Sequence, residues 1–286
     1  MAEQGKLEVK ELEQVVVRFS GDSGDGMQLA GNIFSTVSAT VGNGISTFPD
    51  YPADIRAPQG SLTGVSGFQV HIGEGKVYTP GDKCDVLVAM NAAALKTQYK
   101  YAKPQATIII DTDSFGASDL KKAAFQTEDY LGEMGIDPDR VIQCPLTKMV
   151  KDCLKDTGMD NKAQLKCRNM FALGIVCWLF NRDISLVNNF LREKFAKKPE
   201  IAENNIKVVQ AGYDYGHNVH ASVPATYRIE SKHKVAGRYM DITGNKATAY
   251  GLIAAAEKAG MRLFLGSYPI TPATDILHEL SKHKSL

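Results

Sequence analysis

The chain has 286 residues, 44% of them hydrophobic, so it can bury one full core and begin a second. Its 33 lysine and arginine residues nearly balance 32 aspartate and glutamate residues, so bulk charge gives it no attraction to nucleic acid or to an acidic membrane surface. The charged N-terminus lacks the apolar core of a secretory signal and the apolar runs are too short to cross a bilayer. We therefore expect a soluble, cytoplasmic protein with no nucleic-acid or membrane partner.

The first half of the chain alternates between strand and helix patterns. A β-branched run at 14–20 predicts a buried strand that ends at glycines, and apolar residues at four-residue steps predict a helix over 27–41. A strand, a glycine-rich turn and a helix in this order open a doubly wound domain, so we predict an α/β, Rossmann-like fold with a parallel-rich sheet. Further strands are predicted at 66–72, 84–90, 107–110 and 141–144, with a helix at 92–101.

The second half is predicted to begin with helices. A nearly continuous apolar sequence predicts one long, buried helix over 161–181, and an amphipathic pattern predicts another over 184–195. A third helix, starting near residue 202, is expected to run into a glycine- and aromatic-bearing loop, AGYDYGHNVHASVP. The polar, aperiodic stretch at 224–237 then predicts a linker or domain boundary.

Beyond that boundary the pattern resembles the opening of a second α/β domain. We expect an alanine-rich helix over 245–260, stopped by Gly260, and a strand over 261–266. The segment SYPITPATD then predicts a tight turn, with the next helix at 275–283. A strand in this position needs neighbours, and none follow in the sequence, so the chain is expected to stop inside a domain.

The five cysteines are scattered and form no C-x-x-C pair. Iron–sulfur and zinc sites usually take two cysteine ligands from one tight turn, so this spacing argues against a cluster held by this chain. We interpret them as reduced structural thiols: Cys84, Cys144, Cys153, Cys167 and Cys177.

The glycine-rich turn GDSGDG lies where a nucleotide-binding turn would lie. Its glycines allow close backbone approach, and the following helix offers free N–H groups to a phosphate. The spacing is G-x-x-G-x-G, however, and Asp22 and Asp25 put negative charge where a diphosphate would sit. A tight turn in which Asp25 or Ser23 caps the helix explains the pattern as well. The candidate cofactor-binding residues are Gly21, Ser23, Gly24 and Gly26.

A long proline-rich segment, Phe48–Gly60, follows the first helix. Its prolines exclude a helix and a central strand. A disordered loop would leave the large side chains of Tyr51, Ile55 and Arg56 without packing contacts, which is unfavourable. We therefore expect a rigid surface loop that packs against a partner or a ligand. Local pairing of Asp54 with Arg56 is the simpler alternative.

The pentapeptide YPITP, which ends at Pro272, is the most specific short motif in the chain. Two prolines fix the backbone on either side of Ile270 and Thr271, so the Thr271 hydroxyl faces a set direction. Such a donor suits a carboxylate or a cofactor ring. The alternative is a proline-shaped turn in which Thr271 or Thr274 caps the next helix.

Four segments together resemble the fused gamma–alpha subunit of 2-oxoacid:ferredoxin oxidoreductases, and the 2-oxoglutarate-type enzymes in particular. The likeness runs from about Val15 to the end of the chain, and the second and fourth segments are the most specific. The four segments, in chain order, are GDSGDGMQLAGNIFS, FPDYPADIRAPQGSLTGVSGFQVHIG, TPGDKCDVLVAMN and GSYPITPATDIL.

The resemblance implies a division into two domains. Residues 1–235 would be the gamma domain, Rossmann-like and associated with assembly and with coenzyme A. Residues 236–286 would begin the alpha domain, an α/β domain that presents the pyrimidine half of a thiamine diphosphate site. A separate beta subunit would hold the diphosphate, Mg²⁺ and a [4Fe–4S] cluster, so the chain would not be active alone.

The family reaction is the oxidative decarboxylation of a 2-oxoacid to an acyl-CoA, with electrons passed to ferredoxin. By resemblance, Thr271 would be the catalytic residue, bonding the substrate carboxylate or the cofactor pyrimidine, and Tyr268 and Ile270 would shape the pocket. The family's activating glutamate is expected beyond the segment present, and Glu279 is too near the turn for that role. The rest of the alpha domain would be missing from the chain or supplied separately.

Two other interpretations stay open. The chain could be a non-catalytic assembly module, or one that contacts coenzyme A without its own activity. A nucleotide-dependent dehydrogenase that uses Gly21–Gly26 is a weaker possibility. Within the family, the sequence does not fix which 2-oxoacid is used, because one methylene group changes binding by only about 1–3 kcal/mol.

Overall fold

The β-branched run that starts after Glu13 forms a central strand of a six-stranded sheet in the computed structural model of the chain. The structure describes residues 8–52, 54, 57–218, 225–232, 236–237 and 239–285. Ile55 and Arg56 of the proline-rich segment lie outside the described residues. The chain divides into two units, Met1–Lys234 and Val235–Leu286.

The elements of the first unit occur in the following order. The strands are β1 (Glu8–Glu11), β2 (Gln14–Asp22), β3 (Gly44–Asp50), β4 (Val65–Gly73), β5 (Cys84–Ala89), β6 (Ala102–Asp111), β7 (Val141–Cys144) and β8 (Ala225–Arg228). The helices are α1 (Met27–Thr40), α2 (Ala92–Gln98), α3 (Ala117–Lys122), α4 (Tyr130–Met134), α5 (Leu146–Leu154), α6 (Asn161–Leu165), α7 (Arg168–Leu179), α8 (Ile184–Lys194) and α9 (Pro199–Asn218).

The main sheet has the order β3-β4-β2-β5-β6-β7. Strands β2, β5, β6 and β7 are parallel, whereas β4 runs antiparallel to both β2 and β3. The predicted α/β fold with a parallel-rich sheet is therefore confirmed. The carboxyl ends of the parallel strands meet at one edge, which is where such folds bind ligands.

Helices cover both faces of this sheet, so its parallel strands are apolar on both sides. Along β2, Val15, Val17 and Phe19 pack into the core on the side of α1 and α7. Val16 packs on the opposite side, against α2. Arg18 is buried on that opposite side, where its guanidinium donates to Gln98 Oε1 at 2.8 Å and Gln69 Oε1 at 3.0 Å and pairs with Asp50 of β3.

Two predictions about the helical part of the first unit are wrong. The helix expected over 161–181 is two helices, α6 and α7, because the amides of Lys166 and Cys167 bond three residues back and end α6. The AGYDYGHN segment is not a loop but the last part of α9. There the glycines let helices approach closely: a side chain at Gly212 would meet the backbone of Phe171. Residues 219–224 lie outside the described part of the chain.

Three strands were not predicted. β1 lies in the charged N-terminal stretch, for which the sequence predicted no element. β3 contains Pro49, but β3 lies at the edge of the sheet, where a missing N–H is tolerated. β8 lies within the stretch expected to be a linker and pairs in parallel with β1 as a separate two-stranded sheet.

The second unit contains α10 (Gly244–Ala259) and α11 (Thr274–Leu280). Gly260 ends α10 in the left-handed conformation, with φ 63°, as its position predicts. The strand expected over 261–266 is wrong: these residues have no regular structure, and the structure describes no strand in this unit with which they could pair. No helix among the described residues is long and apolar enough to span a membrane.

Candidate functional site

The glycine-rich turn is shorter than its sequence suggests. Gly21 and Asp22 still belong to β2 and pair with Ser66 and Val65 of β4, so the turn proper is Ser23–Gly26. Gly26 precedes α1 in the left-handed conformation, with φ 74°, and no side chain of the described residues caps the helix. The expected cap by Asp25 or Ser23 is therefore wrong.

Asp25 instead faces Arg168, the first residue of α7. Its Oδ1 atom accepts a hydrogen bond from Arg168 Nη2 at 2.7 Å, and its Oδ2 atom accepts one from the backbone N–H of Asp22 at 2.9 Å. The side chains of Asp25 and Arg168 are 5% and 14% exposed. Burial raises the pKa of Asp25, and the nearby Arg168 charge opposes that rise.

The same arginine reaches the end of β6. Arg168 Nη1 lies 3.7 Å from Asp111 Oδ2 and donates to the Thr147 hydroxyl at 3.3 Å. Asp111 is fully buried and accepts from the Thr147 hydroxyl at 2.7 Å, so three turns at the carboxyl edge of the sheet are joined. Burial raises the pKa of Asp111, and the hydrogen bonds from Thr147 oppose the rise. We call Asp25, Asp111, Thr147 and Arg168 the Arg168 network.

Asp22 ties the proline-rich segment to this edge. Its Oδ2 atom accepts the backbone N–H of Gly60 at 2.8 Å. Its Oδ1 atom is buried and has no hydrogen-bond partner among the described residues. Burial raises the pKa of Asp22, and the bond from Gly60 opposes that rise. Tyr51 of the same segment is 46% exposed, so its predicted packing against a partner stays a prediction.

A cavity of about 270 Å³ lies at the carboxyl ends of β2, β5 and β6. Its walls carry four carboxylates, Asp22, Asp25, Asp113 and Asp119, against the two cations Lys122 and Arg168. This balance disfavours a phosphate inside the cavity. Its lining does not include the candidates Gly21, Ser23, Gly24 and Gly26. Ser23 and Gly24 lie exposed on the turn, and a side chain at Gly24 would meet no described residue within 4 Å.

Sequence reasoning missed Arg168 and Asp111 because their partners are distant in the chain, 143 residues away for Arg168 and Asp25. One signal was available for Asp111. It directly follows the apolar run of β6, and polar residues at the carboxyl ends of parallel strands converge on one edge.

In the second unit, the YPITP turn is exposed, and two of its backbone carbonyl groups accept hydrogen bonds from side chains. Tyr268 and Ile270 are 78% and 57% exposed, and Thr271 is also exposed. The carbonyl oxygen of Ile270 accepts from the Thr274 hydroxyl at 3.0 Å, and that of Pro272 accepts from Asn245 Nδ2 at 2.9 Å. The Thr271 hydroxyl has no hydrogen-bond partner among the residues that the structure describes.

The alternative in which Thr271 or Thr274 caps the next helix is wrong. Ala273 stands at the N-cap of α11 and no side chain caps it. The hydroxyl of Thr271 is therefore free to meet a ligand, and the exposed rings and methyl groups of Tyr268 and Ile270 offer an apolar surface beside it. These residues fit one side of a site for a polar aromatic cofactor or a carboxylate. Glu279 is engaged within the unit, by Tyr250 Oη at 3.2 Å and Lys282 Nζ at 2.6 Å.

The segment before the turn also leaves apolar groups in the open. Met261 is 71% exposed, Leu263 44% and Phe264 90%. A cavity of about 530 Å³, lined by residues of α10, α11 and this segment, lies beside them. Exposed apolar surface of this extent is typical of a face that another polypeptide segment covers.

Comparison with known proteins identifies relatives of the chain. A family model described as pyruvate ferredoxin/flavodoxin oxidoreductase matches residues 16–215. The chain is 45% identical over 275 residues to the 2-oxoglutarate oxidoreductase subunit KorA of Mycobacterium tuberculosis, a match that covers 96% of this chain and 42% of the relative. It is 23% identical to subunit alpha of 2-oxoacid:ferredoxin oxidoreductase 1 of Aeropyrum pernix, over 92% of this chain and 42% of the relative. The chain thus spans less than half the length of these relatives.

Two solved structures share the fold. The 2-oxoglutarate:ferredoxin oxidoreductase of Magnetococcus marinus, which was solved with 2-oxoglutarate, coenzyme A and succinyl-CoA bound, gives a TM-score of 0.70 at 23% identity, over 95% of this chain and 41% of that one. The gamma subunit of a keto/oxoacid ferredoxin oxidoreductase from Geobacter sulfurreducens gives a TM-score of 0.50 at 19% identity, over 71% of this chain and 99% of that one.

Proposed function

Since the chain belongs to the pyruvate ferredoxin/flavodoxin oxidoreductase family, we propose that it is part of a 2-oxoglutarate:ferredoxin oxidoreductase. The complex would convert the 2-oxoacid and coenzyme A to an acyl-CoA and pass the electrons to ferredoxin, in the cytoplasm. The observation that carries this proposal is the 45% identity to a 2-oxoglutarate oxidoreductase subunit, which extends over 96% of the chain and includes the YPITP turn.

The two units would have different tasks. The first, Met1–Lys234, would be the gamma domain, and the second would begin the alpha domain. The gamma subunit from Geobacter sulfurreducens supports this division, because nearly all of it aligns with 71% of this chain. The scattered cysteines agree with a [4Fe–4S] cluster on a separate beta subunit, which would also hold Mg²⁺ and the diphosphate of thiamine diphosphate.

In this proposal the YPITP turn forms one wall of the thiamine site. Thiamine diphosphate, when bound, supplies the carbanion stabilisation that decarboxylation of a 2-oxoacid needs. The Thr271 hydroxyl would bond the substrate carboxylate or the cofactor pyrimidine, and Tyr268 and Ile270 would exclude water beside it. The exposed apolar segment with Met261 and Phe264 would be covered when the domain and its partner are complete.

The test uses the complete complex with the full-length chain. Reduction of a viologen dye that depends on 2-oxoglutarate and coenzyme A should fall by at least about 100-fold in Thr271→Ala, because a donor aimed at a reacting group is worth that much. Thr248→Ala is a matched control, since the Thr248 hydroxyl donates to the Gly244 carbonyl of its own helix, at 2.9 Å. Unchanged turnover in Thr271→Ala would remove Thr271 from the site.

A second candidate concerns the first unit alone: an assembly module that contacts coenzyme A without activity of its own. The exposed Ser23 and Gly24, beside the start of α1, favour it, because free N–H groups there suit a phosphate. The acidic cavity nearby would keep the phosphates outside it. Calorimetry of the complex with coenzyme A in the absence of 2-oxoacid, in the natural form and in Ser23→Glu, tests whether this turn contacts the phosphates of coenzyme A. Equal heat from both forms would exclude phosphate contact at this turn.

A further inference from the structure

Asn245, in the first turn of α10, is hydrogen-bonded to the turn that carries Thr271. Its Nδ2 atom donates to the carbonyl oxygen of Pro272 at 2.9 Å, although the two residues are 27 positions apart. We propose that Asn245 is a positioning residue, which holds the Thr271 hydroxyl in the direction that the reaction requires. This inference rests on the function proposed above for Thr271.

Both carbonyl groups that flank Thr271 accept hydrogen bonds from the start of α11, and one of them has a further donor. The Pro272 carbonyl accepts from the Asp275 N–H at 3.1 Å and in addition from Asn245 Nδ2. The carbonyl of Ile270 accepts from the N–H and the hydroxyl of Thr274, both at 3.0 Å. Those bonds lie within the turn and the start of α11, so they move with it. Among the hydrogen bonds of the described residues, the one from Asn245 joins the turn to α10. This amide therefore ties the Thr271 turn directly to α10, in addition to the indirect connection through α11.

Helix α10 is a suitable reference for such a contact. The Thr243 hydroxyl caps its first turn by accepting the Lys246 N–H at 3.3 Å. Near the middle of the helix, Tyr250 Oη donates to Glu279 Oε1 of α11 at 3.2 Å. The tyrosine thus fixes the spacing of the two helices without Asn245. Loss of the Asn245 amide should leave α10 and α11 together, and the YPITP turn would then be held only by its bonds to the start of α11.

The donor role of the Asn245 amide can be tested with a variant of the same size that cannot donate. Asn245→Asp keeps the size of the side chain but replaces the donor with a carboxylate oxygen, which repels the Pro272 carbonyl. Asn245→Ala removes the contact without repulsion. A displacement of about 1 Å at a reacting group can cost about 100-fold in rate, so we expect turnover of the complete complex to fall by about 10- to 100-fold, and further in the aspartate variant.

A double-mutant cycle in the viologen assay separates positioning from general damage. If Asn245 acts through Thr271, then Asn245→Ala combined with Thr271→Ala should turn over within about twofold of Thr271→Ala alone. Thr248→Ala, which removes a side-chain bond of the same helix, should keep natural turnover. The melting midpoint of the complex and its co-purified subunits should not differ between Asn245→Ala and Thr248→Ala.

Three results overturn the inference. Natural turnover in Asn245→Asp shows that the contact is not needed. If the fold-losses in turnover of Asn245→Ala and Thr271→Ala multiply in the double variant, Asn245 acts elsewhere. If Thr271→Ala itself keeps natural turnover, the thiamine-site role of Thr271 fails and the inference fails with it; in the first two cases that role stands.

Discussion

Arg168 and Asp25 form a buried ion pair, 2.7 Å between Nη2 and Oδ1, that joins the first residue of α7 to the turn before α1. The pair exists because the expected single helix is divided after Leu165, so Arg168 begins a helix at the carboxyl edge of the sheet. Asp111 and Thr147 complete its contacts there. The edge that holds the acidic cavity is thus fixed by one arginine.

Removing that arginine should destabilise the first unit strongly. Arg168→Met leaves Asp25 and Asp111 buried without their cation, and breaking a buried pair in this way costs about 3–5 kcal/mol. Denaturant unfolding of the natural and variant proteins measures the difference. Arg192→Met is the matched control, because Arg192 pairs with Glu203 on the surface, with 53% and 56% of the two side chains exposed, and should cost less than about 1 kcal/mol. Equal losses for the two variants would contradict the role of the Arg168 network.

Asp22 should make stability depend on pH. Burial raises the pKa of this carboxyl above 3.8, so the folded state binds its proton more tightly than the unfolded state. The unfavourable contribution is absent below pH 3.8 and grows as pH rises through the raised folded pKa. Asp22→Asn keeps an acceptor for the Gly60 N–H but does not ionise. The natural protein should therefore lose stability relative to Asp22→Asn as pH rises from 4 to 8.

Unfolding free energies of both proteins across that range measure the effect. Asp183→Asn serves as a control, because hydrogen bonds from Ser185 lower the pKa of Asp183 below 3.8. Its stabilising contribution is therefore nearly complete at pH 4, and the difference between the natural protein and Asp183→Asn should change little from pH 4 to 8. A stability difference between the natural protein and Asp22→Asn that does not change with pH would show that Asp22 is not destabilised by its burial.

Two glycine substitutions should change stability in opposite directions. Gly212→Ala places a methyl group against the backbone of Phe171, so α9 must move away from α7 and the protein should lose about 1–3 kcal/mol. Gly251→Ala, on the exposed side of α10, meets nothing within 4 Å and should add about 0.5–1 kcal/mol to helix stability. Thermal unfolding of both variants checks this pair of expectations. No loss in Gly212→Ala would contradict the close packing of α7 on α9.

The sequence predicted those parts of the fold that depend on local pattern. The apolar runs of β2, β5 and the second half of β6 could be read directly, because strands covered on both faces are largely apolar. The glycines at 212 and 216 were misread as a loop because a glycine that permits a turn and one that permits close helix packing look alike in sequence. The break before Arg168 was missed because nothing local shows that its partner lies 143 residues earlier.

The exposed threonine of the YPITP turn could be predicted from the sequence, whereas its contact with α10 and most of the acidic cavity could not. The YPITP prolines pointed to an exposed, oriented threonine, and Thr271 is exposed with its flanking carbonyls held. The contact from Asn245 could not be predicted, since it depends on how α10 packs against α11. Of the acidic cavity, the sequence indicated only Asp22 and Asp25. Its other walls come from segments that are distant in the chain: the end of the proline-rich segment, the ends of β5 and β6, and parts of α2, α3 and α7.

The composition of the intact assembly is the decisive test of a thiamine- and iron-dependent function. The full-length protein should be purified with its bound partners under anaerobic conditions, and its thiamine and iron measured against protein. We expect a cysteine-rich second polypeptide, one thiamine diphosphate per pair of chains, and iron in the amount of a four-iron cluster or more. An active assembly that contains neither thiamine nor iron would contradict this expectation.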